Sequence, residues 1–256
     1  MSIGINWETL ANEEKLANLS DKYNVVTTSN IVKQFENRGF EITQYSEARV
    51  RREDRANKQK HFVRMALSDD IEMKERPEVV IFNSYDGSTR LNINIGLFRF
   101  VCQNGLILGS HLQEPIKIKH TNNSWEYMVW KMIEGYAGVA AKQQQMIQDM
   151  KNIYMSYSDE VRFAEEAIEY RELIDDVLDP RELVLVRRQG DVGKNLFLTF
   201  NKVQESLLQG LFTKIFRKED EVYTAKASVL SDASRIMQIN QNLDTLAQQY
   251  MYRRAV

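Results

Sequence analysis

The stretch from Glu78 to Gly109, EVVIFNSYDGSTRLNINIGLFRFVCQNGLILG, constrains what this chain can fold into more than any other. Apolar β-branched and aromatic residues alternate with polar ones along it, the pattern that sends successive side chains to opposite faces of a strand. Asp86-Gly87 and Asn104-Gly105 punctuate the runs. Both dipeptides accept the positive φ of tight hairpins, so the stretch is predicted to be an antiparallel meander.

The flanks extend that reading. Ser29 is the expected N-cap of a short helix that runs to Arg38 and ends at Gly39. Phe40 to Val50 and His61 to Leu67 read as strands joined by the charged connection Arg51 to Lys60, a long hairpin with a basic tip. Ile116 to His120 is a further strand beyond Pro115, which cannot donate to a ladder. The period then changes. Trp125, Val129, Met132, Tyr136, Val139, Met146, Met150 and Ile153 recur at helical intervals, a stripe that fits either a core or an oligomer seam. Asn123 and Glu126 have the spacing of a capping box. Gly135 and Gly138 each weaken the helix by about 1 kcal/mol relative to Ala unless close packing needs them. Ser158 is the expected cap of a helix that stops before Pro180, Leu183 to Val186 reads as a short strand, and helices follow over Leu196 to Phe212 and Ile236 to Tyr250. The expected class is α+β, with an antiparallel β-meander in the first half and long amphipathic helices in the second. The expected organisation is a single domain over residues 1–256, β-rich to 120 and helical from 121.

Composition narrows the function classes. Hydrophobic residues make up 43% and charged residues 27%, ordinary for a soluble domain. No apolar run approaches the roughly 18 residues of a membrane span, and the N-terminus lacks an apolar leader, so no membrane partner is expected. The lone Cys102 rules out an internal disulfide framework and points to a reducing cytoplasm. A net charge of −2 excludes wholesale wrapping of nucleic acid. Locally the balance is uneven. Arg49 to Arg64 holds seven Lys/Arg against Glu53 and Asp54, and Asp159 to Glu182 holds ten acids against three Arg. The basic tip, Arg49, Arg51, Arg52, Arg55, Lys58, Lys60 and Arg64, is the expected phosphate-binding element, since Arg and Lys serve phosphates well.

Asn83-Ser84-Tyr85-Asp86-Gly87-Ser88, then Gly96-Leu97-Phe98-Arg99, then Cys102-Gln103-Asn104-Gly105, resembles the pattern N-S-x-D-G-S … G-x-F-R … C-x-N-G of an uncharacterised phage- and plasmid-encoded family, a domain of unknown function. Lys119-His120-Thr121 and Phe200-Asn201-Lys202-Val203-Gln204-Glu205 followed by Gly210 agree in order. The family often carries His where Tyr85 stands, and a second Gly where Leu211 stands. The resemblance implies a mobile-element context and no settled activity.

Other chemistry is sparse. Three His and one Cys show no C-x-x-C or H-E-x-x-H spacing, so no metal or cofactor is expected. His111 and His120 could approach across strands, but a hydrogen-bonded structural role suits His120 better. Cys102, in an apolar strand, reads as a small buried hydrophobe. Gly190 to Asn195 lacks the spacing and hydroxyl of a phosphate loop. Most acids of the 159–182 run fall on the polar sides of a helix and read as a solvated face. Asn83, Asp86, Arg99, Asn104, His120, Asn201, Gln204 and Glu205 form a candidate polar pocket, against the simpler reading of turn and helix-tying residues.

The expectation is a non-enzymatic, phage-encoded protein in the cytoplasm of an infected bacterial cell. It is expected to bind nucleic acid, single-stranded DNA foremost, in replication or recombination. Tyr45 or Phe62 would offer stacking faces. A meander followed by a long helix also resembles the core of phage single-strand annealing proteins, by architecture alone. A homo-oligomer is expected from the helical stripe and the complementary charged segments. The alternative is a counter-defence protein that binds a host protein and no DNA, and a metal-dependent nuclease ranks third.

Overall fold

The computed structural model describes residues 3–16, 18–50, 52–73, 75–99, 116–120, 124–171, 179–218, 221–230 and 233–255. Contacts group into two compact units, Met1–Phe100 with Leu112–Gln143, and Val101–His111 with Gln144–Val256.

The first unit opens with α1 (Trp7–Leu10), capped by the Asn6 side chain, and α2 (Thr28–Glu36). Five strands follow: β1 (Phe40–Glu47), β2 (His61–Leu67), β3 (Glu75–Asn83), β4 (Leu91–Arg99) and β5 (Ile116–Ile118). They form one antiparallel sheet in the order β1-β2-β3-β4-β5, the meander that the alternation and turn signals require. Helix α2 starts at Thr28 with Thr27 as its cap, because Ser29 is drawn into the buried first turn. Pro77 lies inside β3 opposite Leu97 of β4, past the last β2–β3 pair, Met65 with Val79. Between β3 and β4, Gly87 takes φ +76° as expected of the Asp-Gly turn, and a Cβ there would meet Leu19 Cδ2 at 2.7 Å. The Asn104-Gly105 turn, Cys102, Pro115, His111 and the Asn123 cap lie outside the described residues.

One face of the sheet builds the core. Val63 and Met65 of β2, Val79 and Ile81 of β3, and Leu91, Ile93 and Ile95 of β4 pack with Ile31, Val32 and Phe35 of α2. The long helix α3 (Trp125–Asn152) adds Val129, Met132 and Tyr136 to that core. Tyr136 donates its hydroxyl to the Pro77 carbonyl at 2.9 Å. In this unit the stripe read from the sequence is therefore core. The opposite face mixes Phe62, Ala66, Val80 and Phe82 with charged residues. Glu78 is fully buried there between Arg64 and Arg76, with N–O distances of 2.5 and 2.6 Å.

The second unit takes the rest of α3, with Met146 and Met150 buried, then α4 (Tyr157–Ile168), α5 (Leu196–Gln209), the hairpin β6 (Thr213–Lys218) and β7 (Glu221–Lys226), and α6 (Ala233–Ala255). Ser156 caps α4, in a capping box with Asp159, where Ser158 was expected. Residues Pro180–Val184 form a 3-10 turn and Val186 lies in no strand, so the expected strand there is absent. Helix α5 ends at Gly210, where φ is +63° and a Cβ would lie 2.5 Å from the Ala227 carbonyl oxygen. That close backbone approach needs one glycine; Leu211 follows without strain.

Candidate nucleic-acid interface

The basic tip is positioned by the end of the β1–β2 ladder. Ala48 N–H donates to the Lys60 carbonyl at 2.8 Å, and beyond it the chain opens into a loop with one 3-10 turn at Glu53–Arg55. This loop and the β3–β4 turn frame a groove of about 380 Å³ lined by Arg49, Arg52, Arg55, Lys60, Gln59, Asp86 and Ser88, together with Ala48 and Val50. The four cationic residues are exposed. Arg49 and Lys60 have no ion-pair partner among the described residues. Arg52 pairs with Asp54 at 2.8 Å on the surface, a contact worth at most about 1 kcal/mol and readily exchanged for a phosphate.

Among the described residues that line the groove, Asp86 is the one carboxylate. Burial raises its pKa, but Ser88, Ser84 and the nearby Arg55 charge outweigh that and hold it below the usual range. Its Oδ1 accepts from Ser88 N at 2.9 Å, so the side chain first serves its turn. Tyr23 beside it has its phenol raised to about 12, by burial and then by the Asp86 charge.

The remaining cations of the run divide. Lys58 turns to Glu14 at 3.3 Å and keeps only 13% of its side chain exposed. Arg64 is buried on β2, holding Glu78 and Gln44, so it is withdrawn from the surface on which the sequence reading had placed it. The physical reason is register, which puts Arg64 on the sheet face away from the core, diagonal to Glu78. Arg51 lies outside the described residues. Tyr45 is tied to Glu47 through its hydroxyl at 2.6 Å, and Phe62 packs against Phe82 with ring centroids 5.7 Å apart.

Beneath the groove is a polar cluster that no local spacing announces. Gln59 donates to Glu47 at 2.8 Å, and Glu47 also accepts from Asn6, Thr9 and Tyr45. Burial alone would raise the Glu47 pKa; those four donors bring it below the ordinary value. His61, buried, contacts Thr28 Oγ1 at 2.7 Å and the Gln59 carbonyl at 2.9 Å. Burial lowers its pKa, against partial support from Gln59 and Glu47. The Tyr85 hydroxyl accepts from Thr28 N at 2.8 Å and donates to the Leu10 carbonyl at 3.0 Å, stapling the N-terminal segment to the turn.

The described residues of the expected polar pocket are divided between the two units. Asn83 is fully buried and donates to Val26 O at 2.9 Å and Thr28 Oγ1 at 3.1 Å. His120 is buried against Tyr23, ring centroids 4.7 Å apart. Asn201, Gln204 and Glu205 belong to the second unit. Asn201 donates to Phe197 O at 2.7 Å, Gln204 donates to Asn240 at 2.6 Å, and Glu205 pairs with Arg188 at 3.1 Å. The Arg99 side chain and Asn104 are outside the described residues. Glu160, within the acidic 159–182 run, is buried in an ion pair with Lys202, supported by Thr199. Among the described residues no three His, Cys, Asp or Glu group as a metal site, and no helix is long and apolar enough to cross a membrane.

Comparison with known proteins adds a family and no activity. The profile of a family described as Domain of unknown function (DUF932) matches residues 15–231. Two Escherichia coli (strain K12) proteins, UPF0380 protein YafZ and UPF0380 protein YfjQ, are each 27% identical over 202 residues, covering 77% of this chain and 72% of their own length. No solved structure matches.

Proposed function

The chain belongs to the DUF932 family of domains of unknown function, and from its own surface we propose that it binds nucleic acid. The observation that carries the reading is the groove: among its described residues, four exposed cations converge on one concavity against a single carboxylate already committed to Ser88. Phosphate oxygens are the ligand such a set serves best, through charge-assisted hydrogen bonds. Single-stranded DNA is the proposed form, because the groove is short and local and can follow a flexible backbone. The family resemblance supports a phage or other mobile-element setting, in the bacterial cytoplasm, as part of the same proposal. The role is binding rather than catalysis. His61, the buried imidazole nearest the groove, faces Thr28 and Gln59, where it orients the fold.

The test is a mobility-shift series with single- and double-stranded oligonucleotides at rising salt. Four neutralised phosphates on a single strand give a slope of log K against log salt near −2.8, and replacing Arg49, Arg55 and Lys60 with Ala flattens it to about −0.7. Wild-type protein that leaves both oligonucleotides unshifted at about 50 mM salt refutes the reading. Cleavage that appears only with a divalent metal would favour the nuclease instead.

A further inference from the structure

We propose that the basic groove takes one nucleotide of the strand with its base inward and prefers guanine. This inference rests on the nucleic-acid reading and names what that same groove selects. Gln59 and Asp86 line it together with Arg49, Arg52, Arg55 and Lys60. Gln59 is only 9% exposed. Its Nε2 donates to Glu47 at 2.8 Å and to Thr9 Oγ1 at 3.3 Å. A carboxylate only accepts, so the Glu47 contact fixes which way the amide points. Its Oε1 is left buried without a hydrogen-bond partner among the described residues. A buried acceptor in that state costs stability until a donor reaches it.

Phosphate cannot supply that donor. A phosphodiester carries acceptor oxygens alone, so the cations account for the backbone and leave Gln59 Oε1 unanswered. Asp86 leads to the same conclusion. Its charge repels phosphate in an otherwise basic groove, and a turn would accept Asn in its place. Both contacts from Ser88 fall on Oδ1, 2.9 Å from N and 2.5 Å from Oγ, so Oδ2 keeps its acceptor capacity. Acceptors set beside cations match a ligand that is anionic and also carries N–H groups, and a nucleotide is both. Ala48 and Val50 add apolar wall against which a base ring can lie. Guanine presents N1–H beside its N2 amino group on one edge, whereas thymine presents N3–H alone between two carbonyls.

Fluorescence anisotropy with the full chain and labelled single-stranded hexamers at about 50 mM salt tests it. Wild type should bind a thymine hexamer carrying one guanine about tenfold tighter than the all-thymine hexamer, the worth of one or two hydrogen bonds. Inosine in place of that guanine removes only the N2 amino group and should lose about threefold. Asp86→Asn keeps an acceptor for Ser88 and removes the charge. It should cut the guanine preference to about twofold or less, while the all-thymine hexamer binds as well or better. Gln59→Met should lower the preference too; should that variant melt before it can be titrated, the comparison of guanine with inosine decides. Equal affinity for the guanine, inosine and thymine hexamers overturns the inference and leaves nucleic-acid binding standing. So does an Asp86→Asn variant that keeps the full preference. A uracil RNA hexamer bound about tenfold tighter than thymine DNA also overturns it, by assigning the acceptors to the 2′-hydroxyl. If no hexamer binds, the nucleic-acid reading itself has failed.

Discussion

Arg55 and Arg64 come from the same basic run, nine positions apart in sequence, and the fold gives them opposite employment. Arg55 stands at the rim of an open groove, within electrostatic reach of Asp86. Arg64 is 8% exposed and, with Arg76, clamps a carboxylate that water does not reach. The difference teaches that charge density marks a basic segment, whereas strand register decides which of its cations a ligand can meet. A buried cation whose partner is removed retains a large desolvation cost, and an exposed one does not.

Four measurements break or sharpen that contrast. The largest effect is expected at the clamp. Glu78→Ala leaves two buried guanidinium groups without their carboxylate and should cost about 3–5 kcal/mol of stability in urea unfolding. A cost below about 1 kcal/mol would show that Arg64 and Arg76 are solvated after all, and the contrast would collapse. Next comes Tyr85→Phe, which strips the partner from the buried Thr28 amide and the Leu10 carbonyl and should cost about 1–3 kcal/mol. An unchanged denaturation midpoint would mean the N-terminal staple is unimportant to the groove's floor.

The third concerns pH. Burial lowers the folded-state pKa of both His61 and His120 from 6.5. The unfolded chain therefore binds more protons than the folded one just below that pH, so stability is full above it and declines as pH falls toward the folded values. Glu47 and Asp86, also lowered, begin to add their own loss only below 4.5 and 3.8. Midpoints measured from about pH 7.5 down to about pH 5 should fall, and His61→Gln should flatten the decline. A flat wild-type profile would contradict the burial of both imidazoles. The smallest effect belongs to the groove. Replacing Arg49, Arg55 and Lys60 with Ala should change stability by no more than about 0.5 kcal/mol for each residue, whatever it does to DNA binding. A larger loss would make these cations structural.

Some misreadings trace to cues that were present. Ser156 and Asp159 have capping-box spacing, yet Ser158, two residues on, offered a cap of the same chemistry. The β6–β7 strands alternate correctly, but the sequence between them lacks the glycine that signals a tight hairpin. No local cue existed for the cluster under the groove. His61 meets Thr28 across 33 positions and Tyr85 meets Leu10 across 75, separations no periodicity spans.

By itself the sequence determined the local geometry. Alternation and the Asp-Gly turn dictated the meander around Asp86-Gly87, and helical recurrence dictated α3 and α5. It also determined that a family resemblance exists and that one hairpin end is basic. Tertiary structure decided which residues of that end face water. Arg49, Arg52, Arg55 and Lys60 remain outside because the ladder ends at Glu47, while Lys58 and Arg64 are claimed by Glu14 and Glu78. The reason is that periodicity follows from backbone geometry over a few residues. Exposure and pairing of a charge depend on which distant carboxylate the register brings beside it, and on whether water can still reach it.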